Sequence, residues 1–256
     1  FNRISAKEQA KKFGRRDADH EFGTNPCSEI ILRPYQFCNL TEVVIREKDK
    51  FEDLKRKVML ATILGTAQAT LTKFPYLRKV WKNNTEEERL LGVILTGIMD
   101  NELTSGKKHG LDKTLEALRQ VAVETNKEWS AIFGIPQSTA ITCVKPSGTV
   151  SQLVDSSSGI HPRHSSYYIR TVRGDNKDPL TNFMKDSGIP SEADFMKPDT
   201  QTVFSFPMKS PKKSVKRDDM TAIEQLQTWL TYQRYWCEHK PSVTISVRDD
   251  EWMEVG

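Results

Sequence analysis

Leu90-Leu91-Gly92-Val93-Ile94-Leu95-Thr96-Gly97-Ile98-Met99 carries no charge and two glycines, and it reads as a buried strand. Upstream of it, Thr85-Glu86-Glu87-Glu88 has the form of a capping box and predicts the start of a short helix. Further upstream, Leu54, Val58, Ala61, Leu64 and Leu71 recur at helical spacing, after a β-branched strand over residues 40–46. Downstream, Leu115, Leu118, Ala122 and Trp129 mark a helix ending near Gly134-Ile135-Pro136, and residues 138–144 read as a strand. Strands and helices therefore alternate around the quoted run. That order predicts an α/β fold with a largely parallel sheet or barrel. Outward from this centre, Ala6, Ala10 and Phe13 form a weak helical stripe, and residues 167–172 are partly extended. A short helix fits 179–185, a strand 202–206, a loose basic linker 207–216 and a last strand 242–247. Met220, Ile223, Leu226 and Leu230 give the face of the last helix.

The composition narrows the function classes. Of 256 residues, 37% are hydrophobic, which leaves a thin core suited to a piece of something larger. The formal charge is +4. Lysine and arginine cluster at 11–16, with the single aromatic Phe13, and at 209–217 with none, so both read as solvated faces and no nucleic-acid partner is expected. No apolar run approaches the roughly 20 residues of a membrane span. The four cysteines, Cys27, Cys38, Cys143 and Cys237, have no zinc spacing, and no metal site is expected. Neither Phe1 nor Gly256 reads as a natural terminus, so the chain is expected to be incomplete at both ends.

Residues 22–39 differ in kind, with Gly23, Asn25, Pro26, Pro34 and Asn39 interrupting short apolar stretches in an ordered loop. Asn25, Cys27 and Glu29 are spaced by two, which in an extended segment lines them on one face. An amide, a thiol and a carboxylate would then stand side by side: a hydrogen-bonding group, a redox or nucleophilic centre and a base. A second motif, Lys145-Pro146-Ser147-Gly148-Thr149-Val150-Ser151, lies between a strand and a helix start. Free backbone N–H groups there suit an anion. His161 reads as structural, Arg163 and Arg170 as loop anchors within reach of a phosphate, and Cys143 and Cys237 as small core residues.

Asn25-Pro26-Cys27-Ser28-Glu29-Ile30, followed by Cys38-Asn39-Leu40-Thr41-Glu42-Val43, resembles the finger loop of ribonucleotide reductases. The spacing from Cys27 to Cys38 is similar to that of the monomeric, adenosylcobalamin-dependent (class II) triphosphate reductases. Pro146-Ser147-Gly148-Thr149, with Gln152 and residues 155–161, resembles the same family. The resemblance implies part of a ten-stranded α/β barrel of the kind shared with glycyl-radical enzymes: the second half-barrel plus a finger loop at about 22–39, as one partial domain over 1–256. It implies Cys27 as a thiyl radical, Glu29 as base on the 3′-hydroxyl, Asn25 on the sugar hydroxyls, and Cys38 as one of two reducing thiols. Pro146, Ser147, Gly148, Thr149, Val150 and Ser151 would hold the substrate's phosphates. It further implies a ribonucleoside triphosphate substrate, adenosylcobalamin as cofactor, a thioredoxin-type or dithiol reductant, a cytoplasmic location, and a first half-barrel outside these residues. Without that half, the isolated chain is expected to associate through open strand edges and not to turn over. Two other readings of the residues stay open: a nucleotide-binding module without redox chemistry, and an enzyme using Cys27 as nucleophile with a histidine base.

Overall fold

The computed structural model describes residues 3–256. Helix α1 (Arg3–Lys12) buries Ala6 and Ala10 against Ala18, Phe22 and Ile31. Strands β1 (Gly23–Thr24) and β2 (Ile31–Leu32) pair antiparallel as a short hairpin. Strand β3 (Asn39–Val44) leads into α2 (Phe51–Gln68), and α3 (Lys79–Glu88) leads into β4 (Leu91–Thr96). Then come α4 (Leu111–Phe133), β5 (Thr142–Cys143) and the single turn α5 (Val150–Leu153). Strand β6 (Tyr167–Asp175), α6 (Pro179–Asp186), β7 (Ser191–Ala193) and β8 (Gln201–Lys209) follow, before α7 (Ala222–Tyr235) and α8 (Trp252–Val255).

The chain forms two compact units. Phe1–Arg163 with Lys213–Gly256 is built on the parallel sheet β3-β4-β5, with Asn39 opposite Leu91, Val44 opposite Thr96, and Ile94 opposite Cys143. All six residues of the central strand β4 are buried, as its uncharged sequence requires. Helix α2 packs on β3, β4 and α4. Leu54, Val58, Leu95, Leu115, Leu118, Tyr232 and Trp236 form one core, each large apolar side chain contributing about 1.5–3 kcal/mol on burial. No described helix is long and apolar enough to cross a membrane. Residues His164–Lys212 form the second unit, an antiparallel sheet β6-β8-β7 carrying α6, with Phe204 and Thr181 buried. The sequence reading found β6, α6 and β8 but neither β7 nor the antiparallel pairing.

Several expectations change. Thr85-Glu86-Glu87-Glu88 ends α3 instead of starting a helix: Arg89 turns left-handed at φ 46° and its N–H donates to Thr85 O at 2.9 Å. Thr85 and Glu88 are buried, and tertiary partners override the capping pattern. The strand expected over 138–144 pairs with β4 only at Thr142 and Cys143. The one expected over 242–247 reduces to a parallel bridge from Pro241 to Val144, extended by Ser242 N–H to Val144 O at 2.9 Å. Val243, Ile245 and Val247 are more buried than Thr244 and Ser246, so the strand-like alternation persists where no described strand lies beside it. The basic segment 207–216 is not a loose linker. Strand β8 runs on to Lys209, and fully buried Val215 donates its N–H to Met99 O at 2.8 Å.

Candidate active site

The tip of the β1–β2 hairpin is a turn, not an extended run. Asn25 O accepts from Ser28 N–H at 2.9 Å, with Pro26 and Cys27 at the two central positions, and Ser28 then takes φ 62°. Proline's fixed φ favours the first central position of such a turn. Asn25 Oδ1 accepts from Ile30 N–H at 3.0 Å, an Asn side chain closing its own loop. The expected common face of Asn25, Cys27 and Glu29 is therefore not built by strand alternation. Cys27 stands exposed at the tip, while Glu29 turns inward and is 0% exposed. Neither carboxylate oxygen of Glu29 has a hydrogen-bond partner among the described residues.

Beneath the hairpin, Ile30, Ile94 and Cys143 form a small apolar cluster against which Leu32, half-buried Cys38 and Leu40 pack. Gly92 makes this fit possible: a Cβ there would lie 2.5 Å from Leu40 Cδ2 and 3.3 Å from Cys143 Sγ. Burial pushes the Cys38 thiol well up from its ordinary range; Arg16 opposes the shift and Glu29 adds to it. At neutral pH Cys38 is thus a protonated thiol, suited to giving up hydrogen and poorly suited to acting as a thiolate nucleophile. Burial also raises the thiols of Cys143 and Cys237, in keeping with their reading as core residues.

The hairpin base is fastened by residues that carry no motif. Arg16 makes a buried two-pronged pair with Glu88, at 2.8 and 2.9 Å, and donates to Ile31 O at 2.9 Å. Gln36 donates to Glu88 and accepts from Arg33 N–H at 2.8 Å. Burial works against the Glu88 carboxylate, but the bonds and charge of Arg16, with Gln36 and Arg33, hold it below the usual range. His239, fully buried, accepts from Ile31 N–H through Nδ1 at 3.3 Å and lies 2.9 Å from Leu91 O through Nε2. Sequence spacing had no means of finding Arg16, Glu88 and His239, since their partners lie 15 to 208 positions away.

The second motif is a tight turn between β5 and α5. Ser147 takes φ 53°, and its hydroxyl donates to Glu42; Ser151 Oγ donates back to Ser147 O and bonds Ser158 Oγ at 2.8 Å. Both serine hydroxyls are therefore engaged inside the protein. The backbone N–H groups of Gly148, Thr149, Val150 and Ser151 donate to no acceptor among the described residues. Gly148, Thr149 and Val150 line a cavity of about 330 Å³ together with Leu40, Glu42, Ile94 and Lys145 among others. Leu40 and Ile94 belong to this cavity and to the apolar cluster under the hairpin, so the two motifs flank the same pair of side chains. Gly159, at φ 52°, lets the chain pass Lys145 O, which a Cβ would approach to 2.3 Å. Arg163 is a loop anchor, buried and paired with Asp100 at 2.9 Å and Asp155 at 3.0 Å. His161 is structural, with Nδ1 2.7 Å from Ser158 O and Nε2 accepting from Thr244 N–H at 2.9 Å. Arg170 lies on β6, in the other unit. Among the described residues no cluster of His, Cys, Asp and Glu could hold a metal ion.

No family model matches the chain. Curated relatives do. The adenosylcobalamin-dependent ribonucleoside-triphosphate reductase of Lactobacillus gasseri is 32% identical over 259 residues, 90% of this chain and 34% of the relative. The enzyme of that name from Euglena gracilis is 30% identical over 227 residues, covering 88% and 30%. A crystal structure of a B12-dependent (class II) ribonucleotide reductase superposes with a TM-score of 0.74 at 27% identity, over 91% of this chain and 36% of that one. The alpha subunit of the Actinobacillus ureae class Id reductase shares the fold alone, with a TM-score of 0.54 at 14% identity, over 93% of this chain and 49% of that one. The chain is thus a homologue of ribonucleotide reductases, with their mixed α/β architecture. More particularly, it is homologous to the adenosylcobalamin-dependent class II enzymes over nine-tenths of its length, and it spans about a third of the length of the curated relatives it matches.

Proposed function

We propose that these residues carry the radical hairpin and the phosphate turn of a class II ribonucleotide reductase, and that the protein containing them reduces ribonucleoside triphosphates to 2′-deoxyribonucleoside triphosphates. The observation that carries this reading is Glu29. A fully buried carboxyl with two unbonded oxygens is costly, by about 1–3 kcal/mol or more, unless a ligand completes it. A ribose hydroxyl is the ligand the neighbouring groups suit.

In this reading the Cys27 thiyl radical takes the 3′-hydrogen and Glu29 accepts the 3′-hydroxyl proton, and both are given back to the sugar once the 2′-carbon is reduced. Asn25, whose Oδ1 is already used by the turn, offers its amide N–H groups to the sugar. The 2′-hydroxyl leaves as water; Cys38 and a second thiol supply the two electrons and end as a disulfide. The phosphates lie against the N–H groups of 148–151, with half-buried Lys145 nearby. Exposure of Cys27 at the hairpin tip fits a cofactor that approaches from outside these residues. Adenosylcobalamin, when bound, supplies homolytic chemistry and hence the unpaired electron. Among the described residues β3 is an open sheet edge, as expected if a first half-barrel pairs there and brings the second thiol. A thioredoxin-type or other dithiol reductant and a cytoplasmic location belong to the same proposal.

The test is reduction of ribonucleoside triphosphates by the protein that carries these residues, with adenosylcobalamin and a dithiol. Cys27→Ser is expected to abolish reduction and leave nucleotide affinity nearly unchanged. Substantial activity in Cys27→Ser refutes the radical assignment. Tight nucleotide binding with no reduction by the unaltered protein favours a binding module instead.

A further inference from the structure

The segment after α7 is pinned to the sheet and reaches into the hairpin. Glu238 N–H and His239 N–H both donate to Thr142 O at 3.0 Å, and the Glu238 carboxylate accepts from Ile141 N–H at 2.9 Å and from Arg15. From this fixed base two bonds cross to the hairpin on either side of Ile30. Lys240 N–H donates to Glu29 O at 3.0 Å, and His239 Nδ1 accepts from Ile31 N–H at 3.3 Å. The other ring nitrogen faces Leu91 O, at the start of β4. An acceptor on one edge and a donor on the other is what a neutral imidazole provides, and an imidazolium does not. Burial and the nearby Arg16 charge both favour that neutral form.

The Glu29 side chain has no hydrogen bond of its own among the described residues, so its backbone and the packing around it set where the carboxylate sits. That backbone is held by the two crossing bonds and by the Arg16 bond to Ile31 O, because the tip's own bonds join the hairpin only to itself. We propose that His239 is a positioning residue for Glu29: by bridging Ile31 N–H to Leu91 O it fixes the depth of the carboxylate against the parallel sheet. The proposal rests on the reductase reading of the hairpin.

Two substitutions divide the bridge. In His239→Asn the side-chain oxygen can take the place of Nδ1 and keep the Ile31 bond; in His239→Gln the amide nitrogen can take the place of Nε2 and keep only the Leu91 bond. Ile31 amide hydrogen exchange is read in the full protein alongside kcat and KM for triphosphate reduction. His239→Gln is expected to speed Ile31 exchange roughly 5- to 100-fold, the equivalent of one lost buried hydrogen bond. It is also expected to lower kcat by at least about tenfold with KM nearly unchanged, since displacing a reacting group by about 1 Å can cost on the order of 10² in rate. His239→Asn should recover most of both. If kcat in His239→Gln stays at the unaltered value while Ile31 exchange rises, His239 is only structural and the proposal falls. Equal kcat losses in the two variants overturn it as well. No reduction by the unaltered protein defeats the reductase reading, and with it any catalytic purpose for the bridge.

Discussion

Replacing Glu29 by leucine should make the protein more stable while removing its proposed chemistry. The carboxyl is 0% exposed and has no partner for either oxygen among the described residues, so folding strips its hydration and returns no hydrogen bond. Leaving such a group unsatisfied costs about 1–3 kcal/mol, and more when it is charged. Leucine is of similar size and purely apolar, and Ile30, Leu32 and Ile94 lie close to this part of the hairpin. A gain of about 1–3 kcal/mol is therefore expected, with the midpoint rising roughly 2–4 °C per kcal/mol for a chain of this size. Glu29→Gln should gain less, because its amide is just as unpaired. The assay is urea unfolding followed by tryptophan fluorescence, comparing midpoints at unchanged m. Loss of more than about 1 kcal/mol in Glu29→Leu would refute the reasoning, since it would mean the carboxylate holds the fold through a bond of its own.

Two further outcomes follow from the geometry. Burial, with the Arg16 charge, lowers the His239 pKa to about 3, below the ordinary value of 6.5. Its contribution to stability is thus complete above pH 6.5 and is lost as pH falls toward 3, by about 1.4 kcal/mol per pH unit. Unfolding between pH 6.5 and 5 should show this slope in the unaltered protein and lose it in His239→Asn; equal slopes would contradict it. Gly159→Ala places a Cβ 2.3 Å from Lys145 O at φ 52°, so it should cost at least about 1–3 kcal/mol and weaken nucleotide binding. Unchanged affinity by calorimetry would separate Gly159 from the phosphate turn.

What the sequence disclosed follows the range of each interaction. The β4 run and the α4 stripe are local patterns, legible because their causes lie within a few residues, although the strand stops at Thr96 and left-handed Gly97 turns Ile98 and Met99 into a 3-10 turn. The α3 boundary was misread because Glu88 answers to Arg16, not to a helix start. The side-by-side geometry of Asn25, Cys27 and Glu29 assumed an extended segment, whereas Pro26 and the Asn25 side chain make a turn. The antiparallel unit at His164–Lys212 escaped because its strands read singly as extended, and pairing direction leaves no mark in a single strand. His239 was invisible for the plainest reason: its hairpin partner is 208 residues away.

The turn at 147–151 also bears on how such a site can be surveyed. Its serine hydroxyls are occupied with Glu42, Ser147 O and Ser158, and its unclaimed donors belong to the main chain. An alanine scan alters none of those donors directly, so it would report the serines as shape-keeping residues and pass over the contacts themselves. Divergent sequences can likewise keep this kind of grip on an anion without keeping its letters, provided the turn survives. Backbone replacements, such as an ester in place of a single amide at Gly148 or Thr149, are the perturbation that reaches it.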